Sequence, residues 1–208
     1  MNYRKVLNQV PADYYDRGTR SNFLQWAWHS WKWKTLKSMI KGTKGNLLDI
    51  GCADGNLTSK IQAFLPNVQV TGVDLYSKSI LYARKKNPKI KFVIADARKL
   101  PFKTKLYDAV VCAETLEHIP DNVEAIKEIN RCLKTGGTLI VIQDTDNLLF
   151  NIVWFFWTKY KGKVWNGSHV SCMKPRELKS ILKGNGFKII DTNFSHFGLE
   201  VAIKAQKK

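Results

Sequence analysis

Acidic residues are scarce in this 208-residue chain: 17 Asp and Glu stand against 34 Lys and Arg, for a formal net charge of +17. Cysteine is scarcer still. The four (Cys52, Cys112, Cys132, Cys172) form no Cys-x-x-Cys pair. A chain of this size needs no disulfide staples, so they are expected to be reduced thiols of an intracellular, cytoplasmic protein. The first residues, Met-Asn-Tyr-Arg-Lys, lead into polar and charged sequence, and no signal peptide is expected. The apolar stretch at 148–157 (LLFNIVWFFW) has ten residues, half of the about 20 that a membrane-spanning helix needs. No internal repeat or low-complexity linker interrupts the chain. At 44% hydrophobic and 25% charged residues, the composition excludes disorder, collagen and coiled coil. One domain over residues 1–208 is expected.

The charge that is present is unevenly spread. Residues 1–45 carry nine Lys and Arg against two Asp, residues 46–146 fourteen against twelve acids, and residues 147–208 eleven against three. The middle is close to balanced and the flanks are basic. All seven tryptophans (Trp26, Trp28, Trp31, Trp33, Trp154, Trp157, Trp165) lie in the flanks as well. That division suggests a near-neutral catalytic core with a basic, aromatic surface for an anionic or amphipathic partner.

The middle alternates short apolar runs with helical stretches, the pattern of a parallel sheet covered by helices. Strands are predicted at residues 46–50, 68–73, 90–94, 107–112 and 138–143. Helices are predicted near 57–65, 80–86 and 122–133, the last stopped by Lys134-Thr-Gly-Gly137. A helix from Pro175 ends at Gly-Asn-Gly, and two strands near 188–192 and 199–205 follow. Their short link, His196-Phe-Gly198, implies an antiparallel pair.

After the first strand comes Asp49-Ile-Gly-Cys-Ala-Asp-Gly55. It is not the G-x-G-x-x-G of dinucleotide sites, so a nicotinamide or flavin ligand loses its main support. A Gly-x-x-x-Gly turn at a strand–helix junction still lets backbone approach a ligand, with free N–H groups at the helix start. Acidic residues close the next strands. Asp74 ends the second, where a carboxylate can take both hydroxyls of a ribose. Asp96 follows the third, where a carboxylate can accept from an exocyclic adenine amine. Asp49, beside the turn, can meet a ligand ammonium.

The segments LLDIGCADGN, VTGVDLY, FVIADARKLPF, YDAVVCAETLEHIPD and LKTGGTLIVI, in this order and spacing, resemble the class I S-adenosylmethionine-dependent methyltransferases. The resemblance covers residues 46–143 strongly and the C-terminal part more loosely. It implies an α/β fold: a Rossmann-like doubly wound sheet, mostly parallel, with an antiparallel C-terminal hairpin and an N-terminal helical cap. Residues 1–45 would be the cap, 46–146 the cofactor-binding core, and 147–208 the substrate lid and hairpin. S-adenosylmethionine is the implied cofactor, with Gly51, Cys52, Ala53 and Gly55 around its methionine moiety. Asp74 would hold the ribose with Leu75 beside it, and Asp96 with Ala97 would face the adenine. Ala53 departs from the glycine many members have there, which narrows the turn. Asp13-Tyr-Tyr-Asp-Arg17 resembles the tyrosine segment that folds over the cofactor in related enzymes, making Tyr15 a cofactor contact.

Glu114, Glu117 and His118 stand at i, i+3 and i+4, which a helical turn would place on one side. The spacing is similar to the Glu-x-x-Glu-His of small-RNA 2′-O-methyltransferases and ubiquinone-pathway O-methyltransferases, where it can hold a divalent ion. By that resemblance the site would take Mg²⁺, Mn²⁺ or Zn²⁺, with His169 as a further ligand. The alternative is that these residues line the substrate side without a metal. Glu114, His118 and His169 are the candidate catalytic residues. Cys112 is expected to be a packed strand-end thiol.

Residues 22–41 are predicted helical, with two apolar stripes: Phe23, Trp26, Trp33, Leu36 and Ile40 on one side, Leu24, Trp28, Trp31 and Met39 nearly opposite. The second stripe can cover the cofactor, contact an amphipathic substrate or touch a membrane. Residues 148–157, followed by Lys159, Lys161 and Lys163, suit the headgroup boundary, with Trp154 and Trp157 inserting. Methyl transfer to an amphipathic, lipid-like or other small molecule, at oxygen, is the leading expectation, with a peripheral anionic-membrane contact. RNA methylation through the basic aromatic flanks and a non-catalytic partner subunit are the alternatives.

Overall fold

The computed structural model describes residues 9–160, 162–165 and 167–208. Five parallel strands form first: β1 (Asn46–Ile50), β2 (Gln69–Asp74), β3 (Lys91–Ile94), β4 (Tyr107–Ala113) and β5 (Leu133–Asp144). The last two, β6 (Phe187–Ser195) and β7 (Glu200–Lys207), pair antiparallel with each other, and β7 pairs antiparallel with β5. The sheet order is β3-β2-β1-β4-β5-β7-β6. The chain reverses its direction of travel across the sheet between β1 and β4. A crevice opens there at the carboxyl ends of the strands, where α/β sheets bind ligands.

Among the described residues, seven α-helices accompany them: α1 (Tyr14–Ser21), α2 (Phe23–Ile40), α3 (Asn56–Phe64), α4 (Ser77–Lys86), α5 (Asn122–Cys132), α6 (Leu148–Tyr160) and α7 (Pro175–Gly184). Local chemistry sets their ends. Asn22 caps α2 by accepting from the Leu24 and Gln25 amides, Asp121 caps α5, and Pro175 opens α7. Strand residues alternate between two cores. Val110, Cys112 and Val141 pack under Ile126 and Ile129 of α5 and Leu178 and Leu182 of α7. Ala109, Val111 and Ile140 pack on the other face against Leu36 and Ile40 of α2 and Ile61 of α3.

Three expectations change. Lys134-Thr-Gly-Gly137 does not separate a helix from a later strand. Tyr107 pairs with Leu133 and Ala109 with Thr138, so residues 134–137 bulge out within β5. The helical turn expected at 114–118 is only a short 3₁₀ turn, Leu116–His118, because Glu114 has left-handed backbone (φ 48°). Burial in α2 follows position along the helix instead of two stripes. Lys32, Thr35, Leu36, Met39 and Ile40 are buried on the sheet, whereas Phe23, Leu24, Trp26 and Trp31 project beyond it and stay exposed.

Candidate active site

The turn after β1 forms the floor of the crevice. Gly51 and Gly55 both have left-handed backbone (φ 74° and 76°). A Cβ at Gly51 would run into the Thr115 hydroxyl, and one at Gly55 into the buried Phe92, so the shape of this turn needs glycine at both positions. Ala53 adopts φ 45° without glycine's freedom, so the turn keeps its family shape at some cost in strain. Asp74 braces the turn from β2: one carboxylate oxygen accepts from the Ala53 amide at 2.9 Å and the other from the Tyr76 amide at 2.8 Å. Each oxygen retains a lone pair for a ligand hydroxyl.

Gly51, Ala53, Asp74, Leu75, Asp96 and Ala97 all lie on the cleft wall. Asp96 is paired with Arg98 at 2.7 Å. Tyr15 closes the cleft from above. Three expected contacts lie elsewhere, one of them Gly55, which at the start of α3 packs against Phe92. Asp49 is buried behind the turn, accepting from the Thr58 hydroxyl at 2.6 Å, and burial pushes its carboxyl up to about 7. Cys52 packs beneath the turn with Ile80, Ala83 and Phe92. Both brace the cradle's shape without lining it.

Beyond the cleft lies a second chamber of roughly 290 Å³. The two share Tyr14, Tyr15, Glu114, His118 and Trp165 as a common wall. Helix α6 roofs the chamber with Phe150, Trp154 and Trp157, so both tryptophans expected to insert into a membrane turn inward instead. His169 stacks on Trp154, with centroids 4.2 Å apart and planes at 10°, and His118 stacks on Trp165.

Glu114, Glu117, His118 and His169 all reach the chamber, but they do not act as one group. Glu114 is already engaged: Trp28 Nε1 donates to it at 2.9 Å and the buried Lys32 ammonium pairs with it. Burial pushes its carboxyl up, yet Lys32 outweighs that and holds it well below the usual carboxylate range. Glu117 is the opposite case. It is buried, and neither carboxylate oxygen meets a hydrogen-bond donor among the described residues. Burial pushes its carboxyl upward. Glu117, His118 and His169 offer ligand atoms all within 4.8 Å of one another. Glu114 is not part of that group.

Two imidazoles bring proton-accepting capacity. His118 Nδ1 lies 3.0 Å from the Ser168 carbonyl. A carbonyl only accepts, so Nδ1 carries the proton and Nε2 keeps its lone pair. His169 Nε2 lies 3.6 Å from Asp144 Oδ2. Burial lowers both histidines, His169 to about 3, and keeps them neutral.

Residues 48–141 match the family model for the methyltransferase domain. A demethylmenaquinone methyltransferase of Thermotoga maritima is 22% identical over 176 residues, 76% of this chain and 77% of that protein. One from Staphylococcus aureus is 32% identical over 142 residues, 65% of this chain and 57% of that protein. The solved magnesium protoporphyrin IX methyltransferase of Synechocystis, with bound SAH, superposes with a TM-score of 0.71 at 19% identity, covering 99% of this chain and 93% of that one. This last likeness speaks to the fold alone.

Residues 48–141 thus match a methyltransferase domain, within a fold shared with solved methyltransferases. The domain match and the methyltransferase relatives support an S-adenosylmethionine-dependent enzyme. S-adenosylmethionine fits the cleft: Gly51 leaves the wall without a side chain there, and the Asp74 carboxylate on that wall keeps acceptor capacity for ligand hydroxyls.

Several residues that shape the methyltransferase's site carried no usable signal in the sequence. Trp28, Lys32 and Glu200 meet only through tertiary packing, with Lys32 Nζ 4.0 Å from Glu200. Asp54 was also missed. Its carboxylate accepts from the Asp16 amide at 2.7 Å and ties the N-terminal segment to the glycine turn. Asp144 was within reach, because it closes β5 as Asp74 closes β2.

Proposed function

We propose that this methyltransferase acts on an oxygen of an amphipathic, lipid-like small molecule. The wall shared by cleft and chamber supports the reading, since an acceptor in the chamber would border the cofactor cleft. The chamber is lined by Trp28, Trp154, Trp157, Trp165, Phe150 and Leu24, which suits a flat ring with an apolar tail. Relatives from Thermotoga maritima and Staphylococcus aureus are named demethylmenaquinone methyltransferase, and that supports a small-molecule acceptor.

Bound in the cleft, S-adenosylmethionine supplies an electrophilic methyl group. Asp74 and the glycine turn hold and orient it, while Tyr14, Tyr15 and Trp165 exclude water from the shared wall. His118 Nε2 would take the acceptor's hydroxyl proton, leaving the oxygen able to receive the methyl group. His169, held by stacking on Trp154, stands beside it as a second neutral imidazole.

The unpartnered Glu117 carboxylate favours a second role for the same residues. Glu117, His118 and His169 would hold a divalent ion, whose chemistry would be to polarise the acceptor hydroxyl. Turnover in chelator separates the two: full activity supports the histidine base, and loss restored by Mg²⁺, Mn²⁺ or Zn²⁺ supports the ion. The net charge favours RNA as an alternative acceptor. Incubating the protein with isotopically labelled methyl donor and separate lipid and RNA extracts tests the class. Label in a lipid-fraction methoxy group is expected, and label confined to RNA overturns the reading.

A further inference from the structure

Helix α6 is thirteen residues long, and Phe150 is its only buried residue. Its outward side is Leu148, Leu149, Ile152, Phe155, Phe156 and Tyr160, each about half exposed or more. A soluble helix normally buries an apolar stripe and turns polar residues outward; here both sides are apolar. Across the chamber mouth, the first turns of α2 expose Phe23, Leu24 and Trp26. Leu24 and Val153 are exposed and also line the chamber. The outer apolar patch is therefore continuous with the inside of the acceptor chamber. Patches of this kind mark interaction surfaces.

Charge says what the surface meets. Residues 17–48 and 147–176, which supply α2 and α6, contain no Asp or Glu, but hold seven and five Lys or Arg respectively. Lys159 and Lys163 are exposed at the end of α6 and just beyond it. An apolar face with the exposed Lys159 and Lys163 at its end is complementary to an anionic headgroup layer over an acyl interior. Helix α6 is too short to cross that layer, and among the described residues no helix is long and apolar enough to do so. RNA would leave Leu148, Leu149 and Ile152 in water, because aliphatic side chains neither stack on bases nor pair with phosphates.

We propose that the outer face of α6, with the first turns of α2, docks on an anionic lipid surface so that the acceptor chamber opens towards the lipid. The docking surface stands on its own observations; the delivery of acceptor through it rests on the acceptor class proposed above.

The test floats the full-length protein with phosphatidylcholine vesicles and with vesicles of equal parts phosphatidylcholine and phosphatidylglycerol. Binding to the anionic vesicles is expected to exceed binding to the neutral ones by about tenfold and to weaken as salt rises. Phe155 and Phe156 do not line the chamber, so a Phe155→Ser/Phe156→Ser variant should keep its affinity for S-adenosylhomocysteine by calorimetry. It should lose about tenfold in vesicle binding even at low salt, because inserted apolar area is what it removes. Equal binding to both vesicle types overturns the proposal, as does a doubly substituted protein that floats like its parent. So does binding to a single-stranded RNA oligonucleotide with binding to neither vesicle. Vesicle binding without label transfer to lipid extract would leave the docking surface standing and remove only the acceptor reading.

Discussion

Lys32 is a lysine placed among carboxylates and away from water, with a side chain only 4% exposed. Burial disfavours its charge, and Glu114 and Glu200 more than compensate. Removing one partner from such a cluster leaves uncompensated buried charge, so Lys32→Met should cost about 3–5 kcal/mol. Thermal denaturation should show a fall of roughly 10 °C. Adding Glu114→Gln should restore part of it, and a single variant as stable as the parent would refute this account. Asp74→Ala should weaken S-adenosylmethionine binding by about 1–3 kcal/mol in calorimetry, as ligand hydroxyls lose a charged partner. The histidines set the pH behaviour. His118 and His169 lie below 6.5 in the folded chain because burial disfavours their cations. A base works unprotonated, so the acid limb of kcat/KM should fall below pH 6.5, with a plateau through neutrality. The same direction governs stability. The unfolded chain takes up more protons as pH drops from 6.5 towards about 3, so these residues destabilise the fold across that window. An acid limb at pH 7 or above would rule out these imidazoles as the base.

At the scale of elements, the N-terminal segment is a clasp over the cofactor. The Asp16 amide donates to Asp54 at 2.7 Å, Tyr82 donates to the Asp16 carboxylate at 2.7 Å, and Lys86 pairs with the same group. Further up, Tyr76 donates to the Val10 carbonyl at 2.8 Å. Helix α4 thus holds α1 down while Asp54 connects it to the glycine turn. Replacing Tyr82 by Phe and Lys86 by Met together should leave the fold intact and loosen the clasp. Cofactor release, followed by stopped-flow fluorescence, should speed up by roughly tenfold, the equivalent of about 1–2 kcal/mol. Unchanged release would mean that the segment rests on the cleft without closing it. Helix α6 illustrates how an element's meaning depends on its surroundings. Its composition marks it as an apolar insertion, but which side faces in depends on the chamber: Trp154 and Trp157 roof it while Phe155 and Phe156 look outward.

For the whole molecule, cleft and chamber are held between the sheet and two flanking segments, so ligand occupancy should be felt globally. Saturating S-adenosylhomocysteine at about 100 times its Kd should add about 2.7 kcal/mol, a rise in Tm of roughly 5–10 °C. A differential scanning experiment without such a shift would place binding outside the native fold. The order of strands was legible in the chain because each buried parallel strand is a short apolar run. Each also ends in a glycine turn or a carboxylate, and both signals are local. The same locality made Gly51, Gly55, Asp74 and Asp96 recognisable before any coordinates. Locality also misled, since Glu114, Glu117 and His118 share a helical spacing, yet left-handed backbone at Glu114 leaves only a 3₁₀ turn there. What the sequence alone determined is the sheet, its cofactor turn and the basic, aromatic character of the flanks. Only the tertiary structure decided that Lys32 takes Glu114 away from its neighbours, that Glu117 is left unpartnered beside two neutral imidazoles, and which aromatics face the chamber. Those outcomes depend on pairs far apart in the chain, such as Trp28 and Lys32 with Glu114, where desolvation and charge act through space.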